Sequence, residues 1–385
     1  MRHIYADYAA TTPVDKRVLK KASPYFIKMY GNPSSAHSIG VEAKKALNES
    51  REAIARFFKC SPGEVFFTSS GTESENLAIK GRAFSNKKHG THIVISTIEH
   101  AAVDSSASFL EKQGFKVSRV PVTKDCVIDV QLLKGAIQDD TTLVSVMYVN
   151  NEIGSIQPIR EISQFLKKIN EERKAIGKPS IFFHVDGEAG SIYMDYDVDS
   201  LGVDSISING SKLYGMKGAS ALYVRGGVGI ATQICGGGQE SMIRGGTENV
   251  AAIVALAEAV TLAENERGRN NKKIAFLKQR LISLLQKEIP GIRINTPSES
   301  VANIVHATLP GVVVQDIVTR LDQRGICISN GAACASNKDK KSQVLEALGF
   351  TDDEMKMSVR FSLGTRNSVS DIRHIIKVLK DILKK

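Results

Sequence analysis

Short apolar runs alternate with longer amphipathic stretches over the first part of the chain. The apolar runs are Val65–Thr68, His92–Ser96, Lys116–Val120, Leu143–Val149, Ile181–Val185, Ser205–Ile208 and Ala221–Val224. Several are almost continuously apolar, as strands covered on both faces must be. Helical stretches such as Glu75–Phe84 separate the early runs. Strand–helix alternation of this kind predicts an α/β layered fold with a mostly parallel sheet.

After about residue 250 the period changes. Ile253, Leu256 and Val260, then Ile274, Leu277, Leu281 and Leu284, recur at helical spacing. Gly268 and the polar residues around it predict a break between two helices. Ile292–Asn295, Ala302–Ala307 and Gly325–Ser329 read as strands of a smaller α+β unit. Ile372, Ile375, Leu379 and Ile382 predict a closing amphipathic helix with a basic outer face. No internal repeat is visible. The expected division is a segment 1–14 joining the small unit, a large unit 15–255, and a small unit 256–385, with the boundary near 250–265.

Composition narrows the class. The 385 residues are 42% hydrophobic and 24% charged, which excludes a disordered or collagenous chain. No apolar run approaches the ~18–20 residues that span a bilayer, and Met1–Asp7 lacks a signal-peptide core. A cytoplasmic protein without a membrane partner is expected. The net charge of +10 is spread out, with small clusters at Lys87-Lys88, Lys338–Lys341 and Lys384-Lys385. Solvated surface is the plain reading, and an acidic partner or weakly docked RNA the sharper one. No zinc finger, RRM signature or aromatic-interleaved basic stretch supports direct nucleic-acid binding. Five cysteines (Cys60, Cys126, Cys235, Cys327, Cys334) are odd in number, widely spaced and without a CxxC pair. Neither a disulfide framework nor a metal site is expected. Most of these thiols should be small buried hydrophobes.

Candidate chemistry gathers at predicted strand ends. Phe67–Asn76 runs from a strand through a small-residue turn containing Gly71 and Thr72 into a helix. Exposed N–H groups at such a start suit a phosphate, although an ordinary Ser/Thr cap looks similar. Asp186 closes Phe183–Asp186 at the carboxyl end of a buried strand, where α/β sheets bind ligands. Lys212 follows another strand in Asn209-Gly210-Ser211-Lys212 and could form a Schiff base if partly desolvated. Phosphate cradle, buried acid and lysine together suggest pyridoxal phosphate, with the acid keeping the pyridine nitrogen protonated. His100, just past Ile93–Ser96, could stack on such a ring and shuttle protons. Asn150–Gly154 offers amide donors, Asn151 among them.

With these motifs in order, the chain resembles the class V, fold-type I pyridoxal-phosphate enzymes. The resemblance runs from about residue 4 to 365. It rests on Tyr5–Pro13, Gly31–His37, Thr72–Ser74, Asn150–Gly154, Lys212 with its Tyr-Gly-x-Lys-Gly context, Arg244–Asn249 and Ser329–Cys334. Within that class it is most similar to the housekeeping cysteine desulfurases of iron–sulfur cluster assembly. The resemblance implies a large domain with a mostly parallel seven-stranded sheet and a smaller α+β domain carrying a catalytic cysteine loop. It implies conversion of L-cysteine to L-alanine, with sulfur left as a persulfide on Cys334. Lys212 and His100 would be the other catalytic residues. Gly71, Thr72, His100, Asn151, Asp186, Asn209, Ser211, Lys212 and Thr247 would hold the cofactor. Asn151 and Arg360 would bind substrate, the guanidinium gripping its carboxylate bidentately. Thr247 would reach the cofactor phosphate of a second copy, making a homodimer. The acceptor would be an iron–sulfur scaffold or another sulfur-accepting protein, with Cys334 a candidate transient cluster ligand.

The local sequence agrees with a reactive Cys334. Asn330–Ala333 is a small-residue loop, and the lysines at 338–341 would favour the thiolate over its reference pKa near ~8.5. Cys327, in an apolar run, reads as a core thiol. Three positions depart from the family. Asp186-Gly187-Glu188-Ala189 lacks the glutamine of Asp-Ala-x-Gln. Ser211 replaces a phosphate-binding histidine and brings no positive charge. Met216 replaces a turn proline. Loss of one neutral hydrogen bond costs ~0.5–1.5 kcal/mol, so an active enzyme with altered cofactor electronics is expected. The alternatives are an aminotransferase or selenocysteine lyase of the same class, or a catalytically weakened sulfur-transfer scaffold.

Overall fold

The computed structural model describes residues 3–311, 313–330 and 341–383. Twelve strands lie among them: β1 (Ile4–Tyr5), β2 (Val65–Thr68), β3 (His92–Ser96), β4 (Lys116–Val120), β5 (Thr141–Ser145), β6 (Phe182–Val185), β7 (Ser205–Asn209), β8 (Ser220–Val224), β9 (Arg293–Ile294), β10 (Ile304–Thr308), β11 (Ile326–Cys327) and β12 (Ser358–Ser362). Seven form one sheet in the order β2-β8-β7-β6-β5-β3-β4. Only β8 runs antiparallel to its neighbours. The mostly parallel α/β sheet read from the sequence is therefore present.

Burial explains why those runs were legible. Strands β2, β3, β5, β6 and β8 are buried at every residue, as a sheet covered by helices on both faces requires. The edge strand β4 is the exception, with Lys116 and Arg119 exposed; charge on an edge discourages further strand pairing. The predicted run Leu143–Val149 is shorter as a strand. Beyond Ser145 the chain stays extended, and the Val146 and Tyr148 amides donate to the carbonyls of His184 and Asp186. The predicted helix after β2 is a composite: Gly71–Asn76 is α-helical, Leu77–Gly81 forms a π turn, and Arg82–Asn86 resumes the α-helix.

The C-terminal part builds a three-stranded antiparallel sheet, β12-β10-β9. The helix Val369–Leu383 shares the same core, burying Ile372, Ile375, Ile376, Val378, Leu379 and Ile382. Strand β1 pairs in parallel with β11, Ile4 opposite Ile326 and Tyr5 opposite Cys327. The amides of Ser362 and Tyr8 then tie β12 to the N-terminal segment through the carbonyls of Ala6 and Ser362.

One expectation fails. No break occurs at Gly268: a single helix runs from Val250 to Glu288, 39 residues. Both flanks are anchored by buried residues, Ala251 to Ala263 on one side and Ile274 to Leu285 on the other. A solvated glycine between them weakens the helix without ending it. Gly268 is exposed, and nothing would touch a Cβ added there. Gly268→Ala should therefore stabilise the protein by about 0.5–1 kcal/mol, read as a higher denaturant midpoint at unchanged slope. A lower midpoint would mean that the helix is interrupted there.

Candidate functional site

Parallel strands aim their carboxyl ends at one edge of the sheet, and the candidate residues lie just beyond those ends. Asp186 follows β6 and is 5% exposed. Its Oδ1 accepts from the Glu188 amide at 3.0 Å. His100 lies past β3 and caps the helix Ala101–Lys112, its Nδ1 accepting from the Ala102 amide at 3.1 Å. With Nδ1 spent as an acceptor, Nε2 carries the proton of the neutral ring. Gly71 begins the helix Gly71–Asn76 after β2 and is buried, whereas Thr72 is exposed.

Lys212 and Arg360 are brought together by the N-terminal segment. The Lys212 Nζ donates to the carbonyls of Ala9 and Ala10, both at 2.7 Å. The Arg360 side chain is wholly buried. One Nη donates to Asp7 Oδ1 at 2.8 Å, and the other to the Asn151 carbonyl at 2.8 Å. Four consecutive residues, Asp7–Ala10, thus hold the candidate Schiff-base lysine and the candidate carboxylate-binding arginine. Asp7 lies within the Tyr5–Pro13 motif, which by itself gives it no role. Its signal is indirect: a buried guanidinium demands an anion.

The site is crowded with acids. One oxygen each of Glu75, Asp186 and Glu188 lies within 4.8 Å of the others. Burial pushes the Glu75 carboxyl well above its ordinary range, and Asp186 adds to the push. Burial also takes His184 down to about 4. At the 2.6 Å contact between His184 Nε2 and Glu75 Oε2, burial therefore disfavours charge on either partner. Burial, then Asp186 and Glu75, raises the Glu188 carboxyl to about 8.

The residues read as the phosphate cradle do meet, with an unforeseen occupant. Ser211 donates its amide and hydroxyl to Asn209 Oδ1, at 3.0 and 2.9 Å. Asn209 Nδ2 donates to Glu188 Oε2 at 3.0 Å. The other Glu188 oxygen lies over Gly71, where an added Cβ would come within 1.3 Å of it. A carboxyl oxygen already fits this cradle, so the donor set suits a phosphate group, and Asp186 suits a protonated pyridine nitrogen. Ala189, which replaces the expected glutamine, packs against the core.

Cys334 lies outside the described residues, but the chain on either side of 331–340 is pinned at the site. Ser329 pairs with Arg360 through two backbone hydrogen bonds of 3.2 and 2.8 Å. Ser342 donates to Glu152 Oε2 at 2.6 Å. Glu152 is 8% exposed, next to Asn151, and burial raises its carboxyl. Thr247 is exposed, in a loop held by two ion pairs, Arg51–Glu240 at 2.6 Å and Arg244–Glu73 at 2.7 Å.

The thiols need correction. Of the four described, only Cys126 is buried. Cys235 is exposed beside three glycines that offer nothing to bury it, and Cys327 is half-buried because β11 turns Ile326 inward instead. Burial pushes Cys60 and Cys126 up to about 12. Burial and Asp322 also raise Cys327. All three are poor thiolates at neutral pH.

Known proteins match this chain over most or all of its length. A profile of the aminotransferase class-V family matches residues 4–375. Cysteine desulfurase IscS of Clostridium botulinum (strain Hall) is 40% identical over 386 residues, spanning 100% of this chain and 95% of its own. Cysteine desulfurase IscS of Dictyoglomus turgidum is 39% identical, with the same two coverages. A solved NifS-like protein superposes with a TM-score of 0.92 at 34% identity, covering 100% of both chains. A structure of SspA in complex with cysteine gives 0.82 at 33% identity, over 94% of this chain and 99% of its own. The chain belongs to the aminotransferase class-V family and, within it, to the pyridoxal-phosphate-dependent cysteine desulfurases.

Proposed function

We propose that this enzyme converts L-cysteine to L-alanine and hands the sulfur, carried as a persulfide on Cys334, to an acceptor protein of iron–sulfur cluster assembly. One observation carries the reading. The segment Asp7–Ala10 joins Lys212 to Arg360, so an amino acid whose carboxylate meets the arginine has its Cα on the lysine side.

Pyridoxal phosphate, when bound, supplies an electron-withdrawing ring that loosens bonds at the substrate's Cα and Cβ. Lys212 would hold its aldehyde carbon, Asp186 its ring nitrogen, and Asn209, Ser211, Gly71 and Thr72 its phosphate. Arg360 orients the substrate carboxylate, already aligned by Asp7 and the Asn151 carbonyl. Lys212 takes the Cα proton, and His100 moves a proton at the substrate thiol through Nε2. The Cys334 thiolate attacks the substrate sulfur. The carbon–sulfur bond breaks, an S–S bond forms on Cys334, and the electron pair left on Cβ becomes a C–H bond of alanine. Sulfur is oxidised and carbon reduced by the same amount, so no outside oxidant is needed.

Several large apolar residues remain in water: Phe26, Ile27 and Tyr30 are 53%, 77% and 66% exposed. Apolar residues grouped this closely on a surface favour a protein partner. A second copy of the chain is the partner we infer, with Thr247 reaching across to it.

Purified enzyme given L-cysteine and a reductant should release sulfide and alanine in equal amounts. Cys334→Ala should cut sulfide release by about a hundredfold or more while the cofactor absorbance band stays. Undiminished release would remove Cys334 from the mechanism. Arg360→Lys should raise the KM for L-cysteine about tenfold or more, since a charged hydrogen bond is worth ~1.5–3 kcal/mol. An unchanged KM would place the substrate carboxylate elsewhere. Ile27→Glu should shift the protein toward monomer in sedimentation experiments.

A further inference from the structure

The carboxylate in the cofactor cradle has no counterpart in the expected chemistry of the site. Ser211 stands where the family pattern has a histidine, so a potential positive charge is missing. Two residues after Asp186 stands an acid, Glu188. The cradle's donors run in a chain, Ser211 to Asn209 to Glu188, and end on Glu188 as acceptor. Gly71 has no side chain, and Glu188 uses the space this leaves. An alanine at position 71 would collide with it.

We propose that Glu188 is an internal stand-in for the cofactor phosphate, seated on Gly71 and Asn209, and that its charge state governs how readily the cofactor loads. The proposal rests on the cofactor reading above. A phosphate entering the cradle takes over the Asn209 donor and displaces the Glu188 oxygen. A neutral acid can move aside or donate a hydrogen bond to the newcomer. A carboxylate repels it at close range. The groups acting on Glu188 are Asp186 from the end of β6, Glu75 from the helix Gly71–Asn76 and His100 from the start of the helix Ala101–Lys112. The two acids and burial favour its neutral form; His100 and the Asn209 hydrogen bond favour the charged one. The balance keeps Glu188 neutral further into the alkaline range than an ordinary carboxyl, so repulsion appears as pH rises. A conventional glutamate would be charged throughout the neutral range and would repel at every working pH.

The test is to strip the full-length enzyme of cofactor and titrate it with pyridoxal phosphate, following absorbance between about pH 6.5 and 9. Pyridoxal, which lacks the phosphate, serves as the second probe. Glu188→Gln keeps the shape and removes the charge, and Glu188→Ala empties the cradle. Wild type and Glu188→Gln should bind pyridoxal phosphate within about twofold at the acid end. Wild type should fall behind by about tenfold at pH 9, as its binding-competent fraction shrinks. Glu188→Ala should follow Glu188→Gln, and pyridoxal should show no such divergence. Parallel pH curves for wild type and both variants would overturn the inference. So would an equal divergence with pyridoxal, which would put the charge effect at the ring. If no folded variant binds the phosphate ester at any pH, the cofactor reading falls and takes the inference with it, a result distinct from parallel binding.

Discussion

A guanidinium cannot leave water without partners that replace its hydration, and the full burial of Arg360 dictates much of the surrounding architecture. Asp7 must run beside β12 to meet one nitrogen, and the Asn151 carbonyl must turn toward the other. Once Asp7 is fixed, Ala9 and Ala10 are fixed as well, and they present the two carbonyls that receive Lys212. One buried charge thereby sets the spacing between Lys212 and Arg360. The same arginine pairs through its backbone with Ser329, so the chain leading up to residue 330 is referenced to the same point.

Buried acids are the second constraint. The carboxyl edge of the sheet gathers Glu75, Asp186 and Glu188 within one small volume, where three negative charges would be prohibitive. The solution is to remove charge by protonation. Desolvation raises Glu75 and lowers His184, disfavouring charge on either member of the pair, and Glu188 is raised likewise. Asp186 lies among them at the end of β6. Burial in this cluster thus favours the neutral forms of Glu75 and Glu188.

The parts legible in the sequence were those in which local pattern and tertiary environment agree. Strands such as Ile93–Ile95 and Phe182–Val185 are apolar because both faces are covered, and their periodicity states as much. Lys212, Asp186 and His100 stand out because ligand sites in parallel sheets fall at strand ends, and the three lie just past β7, β6 and β3 respectively. Gly268 misled because a glycine in a polar stretch signals a stop locally, whereas packing on either side carries the helix through it. Cys327 misled because a two-residue strand turns one side chain in and one out, and an apolar run does not say which. Glu188 was visible as a letter in Asp186-Gly187-Glu188-Ala189, but its role depends on Gly71, 117 residues earlier, and no local pattern connects them.

The N-terminal clasp also governs when the site can exist. Asp7 and Arg360 are 353 residues apart in the chain, and Ile4 waits for Ile326 to become its strand partner. Lys212 can emerge, and its whole sheet can pair, long before the carbonyls that hold it have been fixed in place. During synthesis the large sheet is therefore free to fold early, while the catalytic geometry is sealed last, by the closure of one very long loop. Cofactor and substrate meet a finished site only after the ribosome has delivered β12, so a nascent or truncated chain is kept from exposing a half-built centre for reactive sulfur.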